Sequence, residues 1–293
     1  MRTRTWRILI IAAGVLLVAG FKFQVPSLPG VPSEVGKAIN VGAKTGQKAL
    51  RAARGISPSE EYYIGRAVAA RLLSQSPLSQ NQDATTYINK VGQVVAQKSS
   101  QPSVYRGYHF GIMETSDPNA YACPGGIILI TRGLIQQCQN EDELAAVLAH
   151  EVAHIAHQDG VNSINKARWT EVLTTAGAEA TRQYAGGVAG QLVTLFEGSI
   201  DDVFKTLVVN GYSRKAEESA DRAAISTLSR AGYNPAALAA ILERLQSKGG
   251  SGGFFRSHPL TSARVSAVQA LVTATPGGAS EKVRTERFKQ VHF

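Results

Sequence analysis

His150-Glu151-Val152-Ala153-His154 matches the pattern HExxH and lies in a segment with helical signals at both ends. In a helix of about 3.6 residues per turn, positions i and i+4 share a face, so two imidazoles can be presented to one metal ion. Glu151 sits one position round, beside a metal-bound water rather than on the metal, which is where a general base is needed. Asn140 reads as N-cap, with Glu143 completing a capping box. Glu141 and Asp142 suit the positive end of the helix dipole, and Gly160 can supply a left-handed residue at the other end. The bland alternative is a helix carrying two hydrogen-bonded histidines.

A third ligand separates the zinc families. The metzincin pattern needs glycine at 157 and histidine at 160, whereas the chain has His157 and Gly160, so that pattern is absent. Two histidines and a glutamate remain. His157, at the helix end, reads as a partner of the dipole rather than a ligand. The segment from Tyr212 reads as a helix to Ser229, on which Glu217 and Asp221 share a face with Ala220 and Ala224. Those alanines permit close approach of another helix, so a carboxylate there can meet the histidines. The alternative is an acidic solvent face, to which Glu218 and Arg222 belong. Gly232 ends this helix, and Asn234-Pro235 begins another running from Pro235 to Gln246. The run Lys248 to Gly253 then reads as a mobile loop leading into Ser257-His258-Pro259-Leu260.

A chain of 293 residues with 44% hydrophobic content can bury a substantial core. Its N-terminus is basic (Arg2, Arg4, Arg7) and continues into an uncharged apolar run from Ile8 to Phe21. A helix of about fourteen residues spans roughly 21 Å, short of a ~30 Å hydrocarbon layer, which points to a signal peptide. An uncleaved anchor is the alternative, and either would export the catalytic domain. The organisation expected is 1–23 signal peptide or anchor, 24–56 basic tether, 57–275 catalytic domain and 276–293 C-terminal tail. The net charge of +9 sits early: nine basic residues precede Ser57 against the single acid Glu34. The remainder is nearly balanced and carries no nucleic-acid motif, so a nucleic-acid partner is not expected. The basic stretch from Ser33 to Arg54 reads as a solvated linker or a weak helix on anionic lipid. Cys123 and Cys138 have no metal-ligand spacing and read as unpaired.

Helices are expected from Ser57 to Gln75 and from Asp83 to Gln97, and strands from Tyr105 to Thr115 and from Gly126 to Thr131. Val161 to Gly211 should be helical with poorly marked ends. The order HEVAH, EESAD, SHPLTSAR resembles the HtpX-like and CAAX-prenyl-protease type of gluzincin, metallopeptidase family forty-eight, from about Ser57 to Val272. Asn119-Ala120-Tyr121-Ala122-Cys123-Pro124-Gly125-Gly126 is similar to that family's lead into its active-site edge strand. The resemblance implies an α+β, mainly helical, zincin-like (minigluzincin) domain with a small sheet whose edge strand flanks the HExxH helix.

It also implies one Zn2+ per chain held by His150, His154 and Glu217, with Glu151 as general base for a zinc-activated water, and it places the family's ExxAD aspartate at Asp221. Asp221 would fix a histidine tautomer. His258 and Arg264, on the HP…R segment, are candidate catalytic stabilisers of the oxyanion; His258 could instead fill the open zinc position and hold the enzyme latent. Tyr212 is a weaker candidate. Asn119, Ile127, Ile128 and Leu129 are candidate substrate-binding residues, through main-chain pairing with an extended chain. The function implied is an endopeptidase exported to the periplasm or its membrane face in a bacterium, held to the membrane by its N-terminus and acting on unfolded or damaged envelope proteins. The rival from another class is a catalytically quiet chaperone or binding module.

Overall fold

A computed structural model describes residues 56–164, 198, 200–248, 253–259, 261–272 and 279–293. The expected leader or anchor, nearly all of the tether, much of Val161–Gly211 and most of the glycine loop lie outside them. The described residues all belong to one compact unit, Ile56–Arg168 with Tyr184–Phe293. Among the described helices none is long and apolar enough to cross a membrane.

Helix α1, Pro58–Leu73, starts on a complete capping box. The Ser57 hydroxyl accepts from Glu60 N, and the Glu60 carboxylate accepts from Ser57 N at 2.8 Å. Helix α2, Gln82–Gln97, is capped by Asn81 and buries Ile88, Val91 and Val95 at helical spacing. The first expected strand is shorter than its apolar pattern. Arg106 and Gly107 take positive φ in a turn closed by Gly107 N donating to Val104 O, so β1 is His109–Met113. Strand β2 is Ala120–Cys123, a tight turn at Pro124–Gly126 succeeds it, and β3 is Ile127–Thr131.

The sheet order is β1-β3-β2, with β3 parallel to β1 and antiparallel to β2. The middle position suits the unbroken Ile128-Leu129-Ile130 run, buried on both faces. It also corrects the expectation that Ile127, Ile128 and Leu129 align a substrate, because their main chain is paired on both sides. The two edges are β1 and β2; the outer side of β1 is bonded to Asn89 and to the Pro77–Ser79 segment, so among the described residues β2 is the edge left open, and it is the strand that flanks the HExxH helix.

That helix, α4, runs Glu141–Ala156 after the short α3, Arg132–Ile135. From Glu141 to Ile155 every residue of α4 is buried, so it is the axis of the core rather than a surface helix. Its capping box is half formed. Asn140 accepts from Glu143 N at 2.9 Å, but the Glu143 carboxylate turns to Gln139 N and to Arg244. Nor is Gly160 the left-handed residue: Gln158 is, at φ 56°, and Gly160 falls within the short helix α5, Asp159–Asn162.

Helix α6, Arg214–Ala231, capped by Ser213 and ended by Gly232 at φ 78°, packs across α4 through the buried Ala220 and Ala224. Helices α7 (Ala236–Ser247), α8 (Phe254–Ser257) and α9 (Ser262–Leu271) come next. The stretch expected as a tail forms α10, Ala279–Lys289, which docks on α4 and buries Phe288 in the core cluster. Cys123 and Cys138 are both buried and free.

Candidate metal centre

Two packed helices and one short segment build the site. Helix α4 supplies His150, Glu151 and His154; α6, laid across it on its alanines, supplies Glu217 and Asp221; the turn after α8 supplies His258. His150, His154, Glu217 and His258 are all buried and offer donor atoms that lie within 4.8 Å of one another. The two histidine Nε2 atoms are 3.1 Å apart, and each is 3.4 Å from a Glu217 oxygen. His258 Nδ1 stands 3.0 Å from Glu217 Oε1 and 3.3 Å from His150 Nε2. His157, at the end of α4, is not among these donors.

The other nitrogen of each α4 histidine faces a carboxylate. Asp221 Oδ1 lies 3.0 Å from His150 Nδ1, and Asp159 Oδ2 lies 2.7 Å from His154 Nδ1. A carboxylate at Nδ1 holds the proton there and leaves Nε2 as a lone-pair donor. Two such lone pairs and a carboxylate then face one another in a buried space, which is repulsive unless something positive lies between them. In the protein alone that demand falls on protons. Burial lowers the pKa of His150, but Asp221 and Glu217 outweigh it and raise it to about 10. For His154, burial is likewise outweighed by Asp159 and Glu217. Burial opposes ionisation of Glu217, yet His258 and Arg264 hold it well below the usual carboxylate range.

A divalent cation answers the same demand. Donors at zinc–ligand distances of about 2.0–2.2 Å from one tetrahedral ion stand roughly 3.3–3.6 Å apart, close to the separations of His150, His154 and Glu217. Both Glu151 oxygens are buried without a hydrogen-bond partner among the described residues, as are Tyr212 Oη and His258 Nε2. Orphaned polar atoms are rare in protein interiors and cluster where a site expects an ion, water or substrate. The residues present therefore fit zinc.

Other candidate residues take different positions. Arg264, expected as an oxyanion stabiliser, is buried with Nε and Nη2 bonded to Asp221 at 2.7 and 2.8 Å and Nη1 2.5 Å from Glu217. Its charge faces those carboxylates and, through Nη2, His150 Nε2 at 3.3 Å, while Nη1 makes no hydrogen bond among the described residues. His258 is fully buried, stacked on Phe254, with Nε2 3.5 Å from Glu151. Asn119 is buried and its amide oxygen accepts from Ala120 N and the Ser257 hydroxyl, both at 2.8 Å, so it ties β2 to the His258 segment. Tyr212 stacks on His154 with ring centroids 4.1 Å apart, and burial beside Glu151 pushes its phenol well above its ordinary pKa.

Asp159 is a residue of the cluster that the sequence does not signal. An acid five residues beyond the second histidine is weak evidence on its own, because its aim depends on the left-handed Gln158, which nothing in the local sequence announces.

A family model described as "Peptidase family M48" matches residues 82–272. The chain is 26% identical over 190 residues to the beta-barrel assembly-enhancing protease of Escherichia coli (strain K12), covering 65% of this chain and 38% of that protein. It is 27% identical over 192 residues to metalloprotease LoiP of the same organism, covering 65% and 69%. With the mitochondrial metalloendopeptidase OMA1 of Schizosaccharomyces pombe it shares 27% identity over 189 residues, covering 63% and 52%. The chain thus spans well under half the length of the beta-barrel assembly-enhancing proteases that it matches.

Proposed function

The chain belongs to peptidase family M48, and from that premise we propose that it is a zinc-dependent endopeptidase of a bacterial cell envelope, cleaving misfolded or mislocalised proteins. The observation that carries the reading is the convergence of His150 Nε2, His154 Nε2 and the Glu217 carboxylate beside an unpartnered Glu151. His150, His154 and Glu217 would hold the metal. When bound, zinc supplies a Lewis acid and lowers the pKa of a coordinated water towards about 7. Glu151 takes a proton from water and returns it to the leaving amine, a role its two unpaired oxygens leave it free to perform. Asp221 and Asp159 hold the protons on the far side of the two imidazoles. The unpaired main chain of β2 aligns an extended peptide by strand addition, which selects little by side chain and suits unfolded substrates. Export is supported by the basic and apolar character of residues 1–23, and an envelope setting by the name of the beta-barrel assembly-enhancing relatives.

His258 is read as the latency ligand rather than an oxyanion donor. It fills the side of the cluster facing Glu151, and both residues are fully buried, so a substrate needs the 253–259 segment to withdraw. The same burial favours a second reading, a catalytically quiet module at the membrane. Cleavage of casein by the purified full chain separates them. The peptidase reading expects chelator-sensitive cleavage that rises in His258→Ala and vanishes in Glu151→Gln; no cleavage by either wild type or His258→Ala with zinc bound selects the quiet module.

A further inference from the structure

A line of buried polar contacts reaches this site from α1, outside the residues that the family model covers. Glu61, in the first turn of α1, is buried. Its Oε1 accepts from Gly125 N at 3.0 Å, in the turn that closes the free edge strand β2. Its Oε2 accepts from Gln158 Nε2 at 3.2 Å, and Gln158 is the left-handed residue immediately before Asp159. Asp159 in turn meets His154 Nδ1. We propose that Glu61 is a positioning residue of the metal centre: one carboxylate fixes both the end of the substrate-facing strand and the turn that aims Asp159 at His154.

The packing around it leaves little freedom. A Cβ at Gly65 would lie 1.8 Å from Pro124 O, and one at Gly125, whose φ is 75°, would lie 2.5 Å from Tyr62 Cα. A Cβ at Gly160 would stand 3.1 Å from Pro124 Cγ. Helix α1 and the Pro124–Gly126 turn therefore meet backbone to backbone, the segment after α4 packs on the Pro124 ring, and Glu61 is bonded into both of its neighbours. A buried carboxylate is costly, and a non-glycine residue in the left-handed region is strained. Glu61 and Gln158 offset each other's cost through their shared bond. The geometry ties the register of the zinc histidine to that of the edge strand, so metal and peptide are placed by the same side chain.

This inference rests on the reading of His154 as a metal ligand. It is tested on the full chain by measuring the zinc dissociation constant through chelator competition, with the KM for casein followed in the His258→Ala background. Asp159→Ala should weaken zinc binding about 10–100-fold, as loss of a ligand's outer partner does, and Asp159→Asn should recover part of it because the amide oxygen still accepts from Nδ1–H. Glu61→Ala and Gln158→Gly should each weaken zinc about threefold to tenfold. Their combination should be no weaker than the worse single change, since both cut one link. Only Glu61→Ala should also raise KM, because it alone frees Gly125. Where Glu61→Ala does not fold, Gln158→Gly, which leaves the Glu61–Gly125 bond in place, carries the zinc arm of the test. Unchanged zinc affinity and KM in these variants, with only thermal stability lowered, would overturn the inference and leave Glu61 as packing. A wild-type chain that binds no zinc overturns it through its premise, and is distinguishable because the wild type fails as well.

Discussion

At the scale of single residues, the site depends on which nitrogen of each histidine carries the proton: Asp159 is hydrogen-bonded to His154 Nδ1, and Asp221 lies 3.0 Å from His150 Nδ1. Asp221 also carries a stability prediction. Burial raises its pKa, but Arg264 and His150 overcome this and lower it from an ordinary 3.8 to about 2. With the folded value depressed, the stability it contributes is present above about pH 4 and lost as the pH falls towards 2, an effect of about 2 kcal/mol. The metal-free Asp221→Asn chain should therefore melt lower at neutral pH and show a flatter decline between about pH 4 and 2; a melting curve indistinguishable from wild type across that range contradicts this. The HExxH pair is legible in the sequence because i, i+4 spacing on a capped helix is a local signal, whereas the choice of Glu217 as third ligand rests on the resemblance to family forty-eight. Asp159 and the inward turn of Arg264 are not, since both depend on what the fold brings opposite them.

Among elements, α4 carries an unusual burden: three consecutive buried acids, Glu141, Asp142 and Glu143, at its N-terminus. The helix dipole favours them, but three carboxylates out of water need cations. Arg287 pairs with Glu141, Arg284 grips Asp142 at 2.5 and 2.8 Å, and Arg244 from α7 grips Glu143 at 2.5 and 2.9 Å. Tyr87 and Tyr233 add their hydroxyls to Glu141. Two of the three arginines come from α10, so the C-terminal helix clasps the helix that holds the histidines. Arg284→Ala should cost about 3 kcal/mol by leaving Asp142 buried without its cation, read as a lower denaturation midpoint; a midpoint within error of wild type would refute the clasp. Gly65→Ala, which forces a methyl into Pro124 O, should cost about as much by unseating α1, and urea unfolding measures it. The clasp joins positions 142 residues apart, beyond any periodic signal, so the sequence presents α10 only as a tail. Strand order is hidden for a related reason: the Ile127–Ile130 run announces burial, but which strand lies at the edge is decided by pairing between segments.

For the whole molecule, the proposed zinc would link metal to fold. A site of three protein ligands pre-arranged in the core would bind zinc only in the folded state, so saturating zinc should raise the melting temperature, by about 2.7 kcal/mol of stability at a hundredfold excess over Kd, and chelator should reverse it. No shift on either treatment would speak against a metal held in the core. The same burial that makes the site tight closes it, since Glu151 and His258 are both sealed from solvent. Basal cleavage should accordingly be low and should rise at least severalfold in His258→Ala; a fall instead would make His258 a participant in the chemistry. The measurement closest to the central claim is the rate of casein cleavage by the full His258→Ala chain, zinc-loaded, chelated, and with Glu151→Gln added. Cleavage is expected only in the zinc-loaded form with Glu151 intact, while the Glu151→Gln protein still binds one zinc. Cleavage that survives either chelation or the loss of Glu151 would contradict it.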